Sequence, residues 1–326
     1  MKKALFTAIL LLTTAFACSA ETPVMAKAAE FKTLIEFARG SDPAQLLWLV
    51  EDDGSILPGA FKGPMVFRAG PEDTTWIGDT QNGRICAFSR DGKNLNSIDL
   101  IGITKKLGLK EIPALLDMLF KADGNLLVAD AANNVILEIA PDSSSSRFFA
   151  PPEDEARAWM QINYLHTDNA GRIYIEDLAL QHTVVLDGNG AVIAVLEHLN
   201  CLATSRTTGR QITLAADDKS LETFRVLSRD NLEKSWQEFA TVMEKVPFSW
   251  IGIVGFDGAD NLYIAYETED ARHYLMYRKD GTLINSLKTQ CINPGYDPLY
   301  SDWVSSDGKI HCVRIKNDKL HIMQLN

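Results

Sequence analysis

One pattern recurs along this chain at intervals of 40 to 51 residues. Each copy has an apolar run ending in an acidic or polar residue, a tight polar turn, and a further apolar run. The clearest copies read TTWIGDTQNGRICAF, NLLVADAANNVILEI and RIYIEDLALQHTVVL, aligned on Asp79, Asp130 and Asp177. Looser copies read RQITLAADDKSLETFRVL, NLYIAYETEDARHYLMY and KIHCVRIKNDKLHIM, aligned on Asp217, Tyr266 and Arg314. Short apolar runs broken by polar turns make antiparallel meanders, and a period near this length is that of a β-propeller blade. The expected fold is therefore all-β: a six-bladed β-propeller with four-stranded antiparallel blades. The blades are expected at about 63–103, 116–151, 161–198, 201–244, 250–290 and 301–326.

The sixth repeat reaches Asn326 after only three strands. Its outer strand is expected from residues 31–50, which hold the apolar runs Leu34–Phe37 and Leu46–Val50. A ring closed in this way has no open sheet edge. The helical signals fall between blades, at Thr104–Leu119 and Pro152–Met160.

The first 20 residues stand outside this scheme. Lys2-Lys3 precedes the apolar stretch Ala4–Phe16, and the small residues Ala17-Cys18-Ser19-Ala20 follow. This is the layout of a secretory signal peptide, too short to span a membrane. Cleavage is expected after Ala20. The alternative is a lipoprotein acylated at Cys18. Residues 21–326 are then expected to form a single exported propeller, periplasmic or extracellular, with no transmembrane segment. The net charge of −11 becomes −13 without Lys2 and Lys3, which argues against nucleic acid as a partner. Four cysteines remain, Cys86, Cys201, Cys291 and Cys312, and their three pairings are left open. Cys86 and Cys312 fall within expected strands, where buried free thiols are common.

The residues from Gly63-Pro64 to Asp130 resemble the NHL-type six-bladed propellers of exported bacterial proteins. The matching residues are Pro64, Trp76-Ile77-Gly78-Asp79, Asn82-Gly83-Arg84-Ile85 and Asp91-Gly92. Leu127-Val128-Ala129-Asp130 with Asn133-Asn134-Val135 repeats them. The resemblance implies a fold that serves as a ligand-binding, protein-binding or catalytic scaffold, so function has to be argued from the site. The leading expectation is a non-enzymatic scaffold for an unknown protein or small polar ligand, with no cofactor. The alternative, implied by similarity to gluconolactonase-like propellers, is a metal-dependent hydrolase or lyase. Asn163 and Asp302 could then join a divalent cation site, although no glutamate stands at the matching position of the first strand.

Asp79, Asp130 and Asp177 are read as turn residues that accept backbone N–H bonds, because they recur at one repeat position. Of the six histidines, only His166 falls on an innermost strand, and His311 and His321 are expected to face each other across one hairpin. The candidate binding residues are those that open the innermost strands: Asp117, Asn163, Asn200, Trp250 and Asp302. Gln81, Gln181, Asp218, Glu267, Glu269 and Asp270 join them from turns on the same face. This acidic, amide-rich mouth suits a cation or a polar surface. Arg68, Lys121 and His166 lie further along the innermost strands and are expected to line the channel from below.

Overall fold

The computed structural model describes residues 26–50, 63–154, 157–177, 179–197, 201–217, 220–244, 247–291 and 302–326. The leader pattern, Asn200, Asp218 and His198 lie outside the described residues. The described chain is a ring of six blades, each a sheet of four antiparallel strands, with one short parallel strand added to the fifth.

Blade 2 shows why the repeat folds as it does. Its strands are Leu115–Phe120, Leu126–Asp130, Val135–Ile139 and Ser146–Phe149. Both faces of its second strand are covered by neighbouring blades, so the sequence reads as a continuous apolar run. Leu126 and Val128 point toward blade 1, and Leu127 and Ala129 toward blade 3. The same division holds around the ring. Six apolar clusters each sit between two neighbouring blades, so the core is a ring of interfaces.

The last blade is closed as expected. Phe31–Ala38 pairs antiparallel with Lys319–Leu325, from Phe31 opposite Leu325 to Ala38 opposite Lys319. Ile35 and Phe37 turn inward and are buried beside Phe67, Ile77 and Phe88 of blade 1. Leu46 makes only an isolated bridge to Arg39, while Leu46 and Trp48 are buried in the same cluster. The two-residue strand Lys27–Ala28 adds in parallel to Leu283–Thr289 of blade 5.

Three expectations need correction. The α-helix among the described residues is Leu100–Lys106, earlier than Thr104–Leu119, and Leu115 already begins a strand. Asp99 caps it by accepting from the Gly102 N–H at 2.9 Å, and Lys105 and Lys106 fill the last turn. The stretch 152–160 holds no α-helix among its described residues. His311 and His321 do not face each other: His311 lies opposite Gln324, and His321 opposite Arg314. All four cysteines are free thiols.

Candidate functional site

The three repeated aspartates hold the blade ends together. Asp130 accepts from the backbone N–H groups of Ala114 (3.0 Å) and Ala132 (3.2 Å) and from the Asn133 amide (2.7 Å). Asp177 accepts from Gln161 and Leu180 N–H in the same pattern. Asp79 accepts from Leu47 N–H, the Asn82 amide and Arg84. Each carboxylate thus ties the turn after the second strand to the segment that leads into its own blade. Burial pushes the Asp79 carboxyl up, against these donors. These bonds make the three aspartates part of the fold.

The innermost strands enclose a central cavity of about 620 Å³. It runs along the whole of Trp250–Phe256 and reaches the first turns of the blades at Gly70, Ala122, Arg206, Gly258 and Ser306. This volume suits a small organic ligand. Its charged groups are few. Arg68 donates to Asp117 at 2.6 Å and to the Met118 carbonyl at 2.9 Å. Asp117 also accepts from the N–H groups of Met118 and Leu165, so its carboxylate is fully engaged inside the protein. Burial pushes the Asp117 carboxyl up, with Arg68 pulling the other way. On the facing wall, His166 and Glu176 lie 2.6 Å apart, and Glu176 accepts from Leu202 N–H at 3.1 Å. Cys201 lines the same wall. Burial and then Glu176 push its thiol up to about 11, so it is protonated at neutral pH. Burial, with Cys201, Glu176 and Asp117 adding, pushes the Tyr164 phenol up to about 12.

Arg206 differs from all of these. It stands in the first turn of blade 4, between Ala203–Thr204 and Gln211–Asp217. In blades 2, 3, 5 and 6 the second residue of this turn is Ala122, Asn169, Gly258 or Ser306. The turn closes there with backbone bonds from Lys121 to Asn125, Asp168 to Arg172, Asp257 to Asn261 and Ser305 to Lys309. In blade 4 the closing bond runs from Ser205 to Arg210, so this turn is one residue longer. Its extra length carries a guanidinium into the channel, where blades 1 and 2 present the Arg68–Asp117 pair. Arg206 lines the cavity and is exposed to the water within it. Burial and then repulsion from Arg68 lower it to about 10, with Asp117 opposing. It is therefore a cation at neutral pH. Among the described residues no hydrogen bond or ion pair is formed by its guanidinium, whereas Arg68 and Lys121 each have a carboxylate at 2.6 Å. An unpaired guanidinium lining a cavity is free to pair with an anion there.

The sequence candidates are distributed around this cavity. Trp250 lines it and is 44% exposed. Asp117 lies behind the wall with Arg68. The Asn163 side chain hydrogen-bonds the Tyr164 phenol. Asp302 is buried, paired with Arg272 at 2.8 Å and accepting from the Tyr274 hydroxyl at 2.7 Å. Glu267 pairs with the same arginine at 3.1 Å. Arg68 and His166 line the cavity as expected, and so does Lys121, held by Glu138 and Asp123. Of the carboxylates expected to make the mouth acidic, Asp117, Asp302 and Glu267 are thus paired with arginines, while Glu269 and Asp270 are exposed. Among the described residues no three histidine, cysteine or carboxylate side chains converge as a metal site. With Asp302 and Asn163 both engaged elsewhere, the residues present do not fit the divalent ion of the gluconolactonase-like alternative.

Comparison with known proteins adds the fold. No protein-family model matches the sequence. No curated protein matches it either. Solved structures do. A member of the DUF4221 family from Bacteroides vulgatus superposes with a TM-score of 0.58 at 12% identity, over 92% of this chain and 98% of that one. A gluconolactonase from Xanthomonas campestris gives 0.53 at 14% identity, over 91% and 90%. A virginiamycin B lyase from Staphylococcus aureus gives 0.53 at 12% identity, over 91% and 99%. The likeness is one of fold. At these identities the propeller is shared, and side-chain chemistry has to be read from this chain alone.

Proposed function

We propose that this protein is a binding propeller whose central cavity holds a small anionic ligand. The observation that carries the reading is the Arg206 guanidinium, charged, without a partner among the described residues, and lining a cavity of ligand size. Arg68 adds to the positive potential, and the neighbouring carboxylates are already engaged by Arg68 and His166. An arginine offers a planar pair of donors suited to a carboxylate, phosphate or sulfate group. The leader pattern supports export, so the ligand would be met in the periplasm or outside the cell. A hydrolase or lyase of the gluconolactonase type draws support from the neighbouring folds, but no group of metal ligands converges among the described residues.

Calorimetric titration of the mature protein with sulfate tests this. We expect one site, weakened roughly 10- to 100-fold in Arg206→Gln, the range for losing charged hydrogen bonds. The pH dependence has a definite sign. Arg206 is protonated below its lowered pKa of about 10, so binding should persist at neutral pH and fall as the pH rises through that value. Equal sulfate affinity in the wild type and Arg206→Gln would contradict the reading.

A further inference from the structure

One wall of the cavity is apolar from end to end. The innermost strand of blade 5, Trp250–Phe256, reads WIGIVGF, and every one of its residues lines the cavity. It carries no charged side chain and no hydroxyl. Six steps of about 3.3 Å make this wall roughly 20 Å long. In blade 2 the corresponding strand, Leu115–Phe120, is buried at all but one position. In blade 5 only Gly252 is buried, beneath the Trp250 indole, while Ile251, Ile253, Val254 and Phe256 stay half-buried. Ile251, Ile253 and Phe256 lean toward blade 4, whose innermost strand, Ala203–Thr204, has two residues to set against seven. Apolar surface left open inside a cavity orders water, and a ligand with apolar surface of its own would release that water.

The turn that carries Arg206 is docked at one end of this wall. The Thr208 hydroxyl donates to the Asp260 carboxylate at 3.0 Å, and Arg210 donates to the Asp260 carbonyl at 2.9 Å. The Arg210 guanidinium also lies 5.3 Å from the centroid of the Phe256 ring. These contacts join the first turn of blade 4 to the first turn of blade 5, which directly follows Phe256. Arg206 therefore stands at the Phe256 end, and the apolar strand runs from there toward the other mouth. The charges on the remaining walls, Arg68, Lys121 and His166, belong to blades 1 to 3 and are engaged by Asp117, Glu138 and Glu176. The unpaired charge and the open apolar surface thus belong to neighbouring blades.

We propose that the ligand is an amphiphilic anion, with its acidic head group on Arg206 and an aliphatic chain laid along the innermost strand of blade 5. The inference rests on the anion reading above and adds the chain. Arg206 fixes the head at one end of the channel, and Ile251, Ile253 and Val254 cover the chain as it runs toward the other.

The probes are hexanoate, octanoate and decanoate, titrated calorimetrically into the mature protein. Octan-1-ol serves as the neutral counterpart of octanoate, and sulfate as a head group alone. Affinity should rise about 15-fold at each two-carbon step, roughly fourfold for each methylene buried. Octan-1-ol should bind about tenfold more weakly than octanoate, and Arg206→Gln should remove that difference. Ile253→Thr should weaken decanoate about fivefold, the scale of the apolar area lost, and leave sulfate binding unchanged. The chain-length series uses the wild type alone, so it decides even where Ile253→Thr folds poorly. A flat series, with sulfate binding still weakened in Arg206→Gln, would overturn the chain and leave the anion site standing. Unchanged decanoate affinity in a folded Ile253→Thr would overturn the place of the chain on blade 5. Octan-1-ol bound as tightly as octanoate, in the wild type and Arg206→Gln alike, would overturn both readings. No decanoate binding up to about 1 mM would overturn the amphiphile.

Discussion

At the scale of single residues, the chain separates positions that repeat from positions that do not. Asp130 was legible because an aspartate before a polar turn has an elementary use, accepting backbone N–H bonds, and the sequence presents it at three equivalent places. The structure adds a second anchor, Ala114, which lies 16 residues earlier and which turn chemistry alone would not locate. Asp130→Ala should therefore cost about 1–2 kcal/mol of stability, since it leaves buried N–H groups without an acceptor. Urea denaturation measures this. Ligand binding should be unchanged while the protein is folded, and a stable Asp130→Ala that lost its ligand would show the ring of aspartates to be functional. Arg206 was not legible in this way. Its meaning comes from departing from the repeat, in a turn one residue longer than its counterparts, and from what stands across the channel. A comparison of the first turns by length could have flagged it. Trp250 was visible as an aromatic opening an innermost strand, but the fit of its ring over Gly252 depends on a side-chain conformation that periodicity does not carry.

At the scale of elements, strand positions followed closely from the apolar runs, because neighbouring blades bury both faces of most strands. Arg84–Phe88 and Val135–Ile139 fall where the pattern puts them. The helix was harder. Leu100–Lys106 continues directly from the outer strand of blade 1, and an aspartate at the junction serves as cap, so no polar gap marks the change. The histidine pair failed for a related reason: the hairpin register sets each histidine three positions from the other's level, which composition cannot reveal. Closure of the ring is the prediction that belongs here. Removing residues through Ala38 would uncover the edge of Lys319–Leu325 and lose the burial of Ile35 and Phe37. Each such side chain contributes about 1.5–3 kcal/mol, so the loss should reach several kcal/mol in a denaturant titration. A truncated chain as stable as the mature protein would show that the ring does not depend on this strand.

At the scale of the whole molecule, the propeller separates stability from recognition. Its apolar clusters lie between blades, away from the axis, so the innermost strands are free to carry charge and aromatic surface without weakening the core. The chain as a whole is acidic, and the carboxylates at the channel are already engaged: Asp117 by Arg68, Glu176 by His166, and Asp257 by Asn261, Tyr263 and backbone N–H groups. Among the described channel residues this leaves the positive charge of Arg206 unanswered. Crystals of the mature protein grown in sodium bromide test it most directly, because the anomalous signal of bromide locates an anion without assuming its identity. The account predicts a peak inside the channel within hydrogen-bond distance of the Arg206 guanidinium, absent from Arg206→Gln crystals grown alike. A channel without bromide, with Arg206 turned onto a carboxylate of its own chain, would contradict it.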